Sequence, residues 1–164
     1  MLIRVASRTV IEVFEIGPDE WQLWRKLRRA ALADAPTSFK STLAQWSGPG
    51  DTEERWRARL ASAALNLVLS WNREPSGMLS AVPPDSKGAI RLMSVWVAPA
   101  ARGRGIGDAA IHRVVTWARA QHAYRHLVLS VKADNTKAIE LYRRHGFLDS
   151  GPTPDHPDER WMCR

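Results

Sequence analysis

With 164 residues, 45% hydrophobic and 25% charged, the chain has the size and balance of one globular domain around a single core. One cysteine, Cys163, excludes an internal disulfide framework, and five histidines at no ligand-like spacing exclude a zinc cluster, so no metal is expected. A net charge of +7 points to nucleic acid or to an anionic small ligand, and no basic, aromatic-interleaved strand or recognition-helix pattern favours the first.

Met1 to Arg8 carries little periodicity, reads as partly disordered, and is not followed by a signal-type apolar region. No apolar run approaches the ~20 residues of a membrane span, so the expected location is the cytoplasm, with no membrane partner. Val10 to Ile16 alternates as a first strand. Gly17-Pro18-Asp19 then opens a helix over Trp21–Asp34, with Asp19 as its cap and Ala35-Pro36 as its stop. Arg25, Lys26, Arg28 and Arg29 read as its solvated face, opposite a stripe of Trp21, Trp24, Leu27 and Ala31. A polar connection from Thr37 to Gly50 carries Phe39 and Trp46. Asp51 with Glu54 forms a capping-box pattern for a helix holding Trp56 and Leu60.

Leu65 to Trp71 reads as a strand, Asn72 to Gly77 as a hairpin turn, and Met78 to Val82 as the returning strand. A second turn, Pro83 to Gly88, leads to the strand Ala89 to Val97. From there the pattern becomes helix (Asp108 to Gln121), strand (His126 to Val131), helix (Asn135 to Gly146), which argues for a parallel pair joined by a crossover. Asn135 suits an N-cap and Gly146 a C′ position. Phe147-Leu148 begins another strand, and a loop from Gly151 to Asp158 leads to a short last one at Arg160 to Cys163.

Between strand and helix lies Arg102-Gly103-Arg104-Gly105-Ile106-Gly107. Alternate glycines let a backbone curl with its N–H groups exposed, and the helix N-terminus behind them adds positive potential. The segment is suited to a pyrophosphate. It is not an ATP-type P-loop, because no Lys-Ser or Lys-Thr pair follows. Gly105-Ile106-Gly107-Asp108-Ala109-Ala110 does match the dinucleotide pattern G-x-G-x-x-A. However, five residues separate the preceding strand from the expected first glycine, and no acidic residue closes the next strand. Taken alone, the segment could also be a glycine-rich surface turn.

A second segment resolves this choice. Asn135, Ala138 and Tyr142 share one stripe of the helix that ends at Gly146-Phe147. Together, R-x-x-G-x-G and N-x-x-A-x-x-L-Y-x-x-x-G-F resemble the GCN5-related N-acetyltransferase (GNAT) superfamily. The likeness is specific over Ala89 to Phe147 and looser over Leu27 to Phe39. It implies an α/β fold with a mixed, mostly antiparallel sheet, about four helices and a V-shaped splay between two central parallel strands. Acetyl-CoA would lie in that splay as cosubstrate, and the acceptor would be an amine of a small molecule or peptide. A homodimer is left open.

Carried over from Arg102, the family register puts the acetyl carbonyl near the Val95 N–H. The pantetheine arm then runs along Val95, Trp96 and Val97, and the pyrophosphate meets the loop from Arg102 to Gly107. Asn135 either caps its helix, contacts the cofactor, or does both, and Ala138 is small enough for close approach. Tyr142 is the candidate general acid: a phenol with pKa near ~10 stays protonated at neutral pH and can donate to a departing thiolate. Its other reading is a core tyrosine. Many relatives carry a glutamate on the strand before the loop, where this chain has Arg91. Ser94 could hold a water there, and Glu74, Asp155 and Asp158 are the carboxylates considered elsewhere. Arg91 would favour an acidic acceptor. Phe39, Trp46 and Trp71 are candidate acceptor-pocket walls, with core packing as the alternative for each. The missing strand carboxylate also keeps a non-catalytic acyl-CoA-binding module as the rival reading.

Overall fold

In the computed structural model, which describes residues 9–164, strand β1 (Ile11–Glu15) passes through a 3-10 turn into helix α1 (Trp21–Asp34). Met1 to Arg8, expected to be partly disordered, lies outside the described residues. Helix α2 (Glu53–Ala61) precedes the hairpin β2 (Leu65–Trp71) and β3 (Glu74–Ala81), followed by β4 (Ala89–Val97). Helix α3 (Ile106–Arg119), β5 (His126–Lys132), α4 (Thr136–Arg144), β6 (Leu148–Pro152) and β7 (Glu159–Cys163) complete the order. The seven strands form one sheet, β1-β2-β3-β4-β5-β7-β6. Its pairs are antiparallel except β4 with β5, whose parallel pairing needs the crossover through α3. The expected mixed α/β sheet with four helices is the fold found.

Helices cover both faces, so the central strands are buried on both sides. Leu65, Leu67 and Leu69 of β2 join Ile111, Val114 and Phe147 in one core beneath α3 and α4. Val68 and Met78 join Trp24, Leu27, Trp56 and Leu60 in a second core beneath α1 and α2. Both polar atoms of the buried Asn66 side chain are bonded, Nδ2 donating to the Leu60 carbonyl at 2.9 Å and Oδ1 accepting from the Ser80 hydroxyl at 2.9 Å.

Several local expectations shift. Asp19 does not cap α1; Glu20 holds that position, and Asp19 pairs with Arg57 at 2.7 Å. Thr52, not Asp51, caps α2, accepting from the Arg55 N–H. The hairpin turn is only Asn72-Arg73, both at positive φ (51° and 68°), the geometry that matches strand twist in a two-residue loop. Gly77 consequently lies within β3, Gly151 and Pro152 lie within β6, and α3 begins two residues early, at Ile106.

Asp51 has a different task. Its carboxylate accepts from Arg25 Nε (2.6 Å), Arg29 Nη1 (3.2 Å) and Trp56 Nε1 (2.8 Å), which ties α1 to α2. Arg25 first, then Trp56, hold its carboxyl well below the usual carboxylate range. A depressed pKa contributes stability above the unfolded value near ~4, and that contribution is lost as pH falls below it. Asp51→Asn is therefore expected to lower the melting temperature at pH 7, with the gap to wild type narrowing toward pH 3. A gap of constant size across that window would rule out the charge as its source.

Candidate active site

β4 and β5 pair from Ala89↔His126 to Arg91↔Val128 and then part. On its other edge β4 meets β3 at Ser80↔Met93 and Met78↔Trp96, so Ser94 and Val95 together stand opposite Leu79. This is a β-bulge, and Ser94 occupies it at φ 56°, a left-handed conformation that costs a non-glycine residue roughly 1 kcal/mol or more. The bulge exchanges faces. Ile90 and Leu92 enter the core beneath α3, Trp96 enters the opposite core, and Val95 and Val97 now pack toward α3. Val95 is left with a register partner in neither neighbouring strand.

The parted strands border a cleft of about 870 Å³, large enough for a sizeable ligand. Its walls include Phe39, Arg91, Ser94, Val95, Trp96, Val97, Arg102, Gly103, Gly105, Ile106, Gly107, Asn135, Ala138 and Tyr142. Three side chains expected there are elsewhere. Arg104 places its guanidinium over the Trp71 ring, 4.4 Å from its centroid, and both lie outside the lining. Trp46 is buried against Trp56 at 4.2 Å between centroids, in the core beneath α1.

At one end, Gly103 and Gly105 adopt φ of 71° and 82°, which turns the loop into the first turn of α3. No backbone carbonyl of the described residues takes the N–H groups of residues 103–108. Those donors, at the positive end of a fourteen-residue helix, form a cradle that fits a phosphate group. Gly107 serves packing instead: a Cβ there would come 2.9 Å from Leu141 of α4. Arg102 is not a free cation, since it donates to the Val97 carbonyl (2.9 Å) and pairs with Asp34. Asn135 caps α4, accepting from the Ala138 N–H at 3.2 Å.

At the other end, Tyr142 is 5% exposed, its ring 5.8 Å from that of Phe147, and burial alone pushes its phenol above the ordinary value. The Ser94 hydroxyl accepts from Arg59 Nη2 at 3.3 Å. Of the considered carboxylates, Asp155 lines the cleft, Asp158 is paired with Lys132 at 2.6 Å, and Glu74 sits by the hairpin. Residues the sequence did not single out also line it. Asp34, held below its usual pKa chiefly by Trp96 Nε1 (2.9 Å), anchors the end of α1, while His156 and Glu159 flank the far wall. No periodicity marked these positions. Among the described residues, no group of three His, Cys, Asp or Glu side chains is placed to hold a metal, and no helix is long and apolar enough to cross a membrane.

The model of the family described as "Acetyltransferase (GNAT) family" matches residues 22–147. Among curated proteins, the chain is similar to mycothiol acetyltransferase of Mycolicibacterium gilvum, with 28% identity over 87% of this chain and 57% of that protein. It is also similar to L-2,4-diaminobutyric acid acetyltransferase of Nocardia farcinica, with 26% identity over 84% of this chain and 69% of that protein. The chain spans about half the length of the mycothiol acetyltransferases it matches. Among solved structures, the PaiA N-acetyltransferase of Thermoplasma acidophilum, in complex with coenzyme A, superposes with a TM-score of 0.74. That match covers 94% of this chain and 98% of the other at 12% identity, a likeness of fold.

Proposed function

The chain belongs to the acetyltransferase (GNAT) family, and from that premise we propose that it moves the acetyl group of acetyl-CoA to a primary amine by direct attack, within a single catalytic domain. The observation that carries this reading is the bulge at Ser94–Val95, which leaves Val95 without a register partner just where β4 leaves β5, and the reading takes the Val95 N–H as its donor. That donor would stabilise the oxygen of the acetyl carbonyl as charge develops on it. The pyrophosphate would rest on the N–H groups of residues 103–108, and the pantetheine arm would run along Val95 to Val97. As the amine nitrogen bonds to the carbonyl carbon, the C–S bond breaks, and the Tyr142 hydroxyl donates to the departing sulfur. The proton shed by the amine passes to water, and solvent returns one to the Tyr142 phenolate; Asp155 and Glu140 are the cleft-wall acids without an ion pair among the described residues. The complex of a relative of this fold with coenzyme A supports the choice of cosubstrate.

The test is thiol release from acetyl-CoA with amino acids, polyamines, aminoglycosides and peptide N-termini as acceptors. Transfer to one class establishes the activity. Binding of acetyl-CoA without transfer to any of them would instead indicate the non-catalytic acyl-CoA-binding module, the reading that the absence of a β4 carboxylate favours.

Arg91 lines the cleft, exposed, with its guanidinium 5.3 Å from the centroid of Trp161, and the reading assigns it to the acceptor side. A fixed positive charge there disfavours a cationic acceptor. Arg91→Glu is expected to shift relative kcat/KM toward polyamines by roughly tenfold, the size of one screened charge reversal. An unchanged rank order of acceptors would remove Arg91 from acceptor selection.

A further inference from the structure

We propose that Arg28 receives a carboxylate of the acceptor, so that the amine acetylated here belongs to a small molecule carrying that carboxylate. The proposal rests on the acetyl-transfer reading above and narrows its substrate class.

Helix α1 carries four cationic residues in five positions, and they are treated differently. Arg25 and Arg29 share Asp51, and Lys26 is exposed. Arg28 turns inward: it is 8% exposed, borders the cleft, and has its Nη1 enclosed without a hydrogen-bond partner. No carboxylate of the described residues pairs with it. Its nearest charged influence is Arg59, which is also positive, and burial together with Arg59 pulls its pKa down to about 10. Arg28 is still charged at neutral pH. None of the other cleft acids relieves it: Asp34 is committed to Arg102 and Trp96, Glu159 to Lys132 and Asp108 to Arg144 and His145, while Glu140 and Asp155 form no ion pair with Arg28 among the described residues.

An enclosed guanidinium without an anion is a cost to the fold, and such a cost marks positions kept for a ligand. The Phe39 ring lies 4.5 Å from the guanidinium carbon, so one face is covered and the in-plane N–H edge remains for a partner. A planar carboxylate matches that edge with two oxygens. The placement is also apt: Arg59 donates to the Ser94 hydroxyl in the bulge, so the cationic pair adjoins the segment that would hold the acetyl carbonyl. An acceptor anchored by its carboxylate at Arg28 would present its amine toward that segment.

The experiment uses the full chain and matched acceptors: amino acids, their carboxamides, their decarboxylated amines, and an amine bearing a phosphate. Wild type is expected to favour the carboxylates over the carboxamides by about 100-fold in kcat/KM, as polar pockets reject analogues lacking the polar group. Arg28→Met should abolish that preference, leave coenzyme A affinity unchanged, and melt at the same or a higher temperature. Preference for the carboxamide or the phosphate in wild type, or a preference that survives Arg28→Met, would overturn the proposal. Calorimetry with N-acetyl amino acids on coenzyme A-loaded protein reads the same site without turnover. Binding by wild type that Arg28→Met loses supports the proposal, whereas equal binding or none by wild type overturns it. Either result stands even if no amine is acetylated, which would be a separate failure of the transfer reading. If Arg28→Met does not fold, Arg28→Lys keeps the charge without the fork and should cut the carboxylate preference at least tenfold; an unchanged preference overturns the proposal.

Discussion

Gly105→Asp is expected to fold normally and to bind acetyl-CoA about a hundredfold more weakly. Gly105 stands at φ 82° as the N-cap of α3, and a Cβ built there meets only Ile11 Cδ1 at 3.9 Å. Space is therefore available, and aspartate tolerates the left-handed region better than most residues. A carboxylate at a helix N-terminus can also accept from the orphan N–H groups, which offsets the backbone strain. In doing so it takes donors the phosphate would use. It also adds a like charge: at roughly 5 Å and an effective dielectric of about 20 the repulsion is about 3 kcal/mol, close to a hundredfold in affinity. Gly105→Ala is the control, because it carries the same φ penalty without the charge. Calorimetry with acetyl-CoA decides the matter. A folded Gly105→Asp protein with wild-type affinity would mean that the phosphates lie elsewhere.

The parts of this site legible in the sequence are those that local patterning dictates. Residues 102–107 announce a turn into a helix because glycine tolerates positive φ, and the short segment from Asn135 to Gly146 announces both of its ends by capping chemistry. The strands on either side of α3 show as apolar runs. What could not be read depends on partners distant in sequence. The bulge at Ser94 exists only in the register of β4 against β3, and nothing in the run from Ala89 to Val97 shows that the alternation changes face there. Arg104 and Trp71 find each other across thirty-three positions, which takes the guanidinium and the indole away from the cleft while the Arg104 N–H stays among the loop donors. Arg28 is the instructive case. It lies four residues from both Trp24 and Leu32, both buried, so it falls on the apolar stripe of α1. Grouping it with Arg25, Lys26 and Arg29 as a solvated face followed residue type rather than helical position.

Tyr142→Phe is expected to lower kcat by ~10²–10⁴-fold, about 3–5 kcal/mol of barrier, while changing acetyl-CoA affinity far less. The geometry isolates the hydroxyl from the fold. The ring packs beside Phe147 in the core beneath α3 and α4, and phenylalanine preserves that contact. Burial is the sole cause of the raised pKa, so no ion pair stabilises or destabilises the phenol in the free protein. Removing the hydroxyl from such a position should leave the melting temperature essentially unchanged. The sign of the shift also defines the chemistry. A pKa raised above 10 keeps the phenol protonated throughout the working pH range, so Tyr142 cannot act as the base that takes the amine proton. It can serve only as a donor, and the alkaline limb of the rate profile should not report its ionisation. A thiolate leaving beside the buried Tyr142 ring is stabilised by such a donor, because the core side of the cleft offers it no other hydrogen bond. Measuring kcat, acetyl-CoA affinity and melting temperature on one preparation separates the roles. Near-normal kcat with reduced stability would make Tyr142 a packing residue, and the departing sulfur would then take its proton from water.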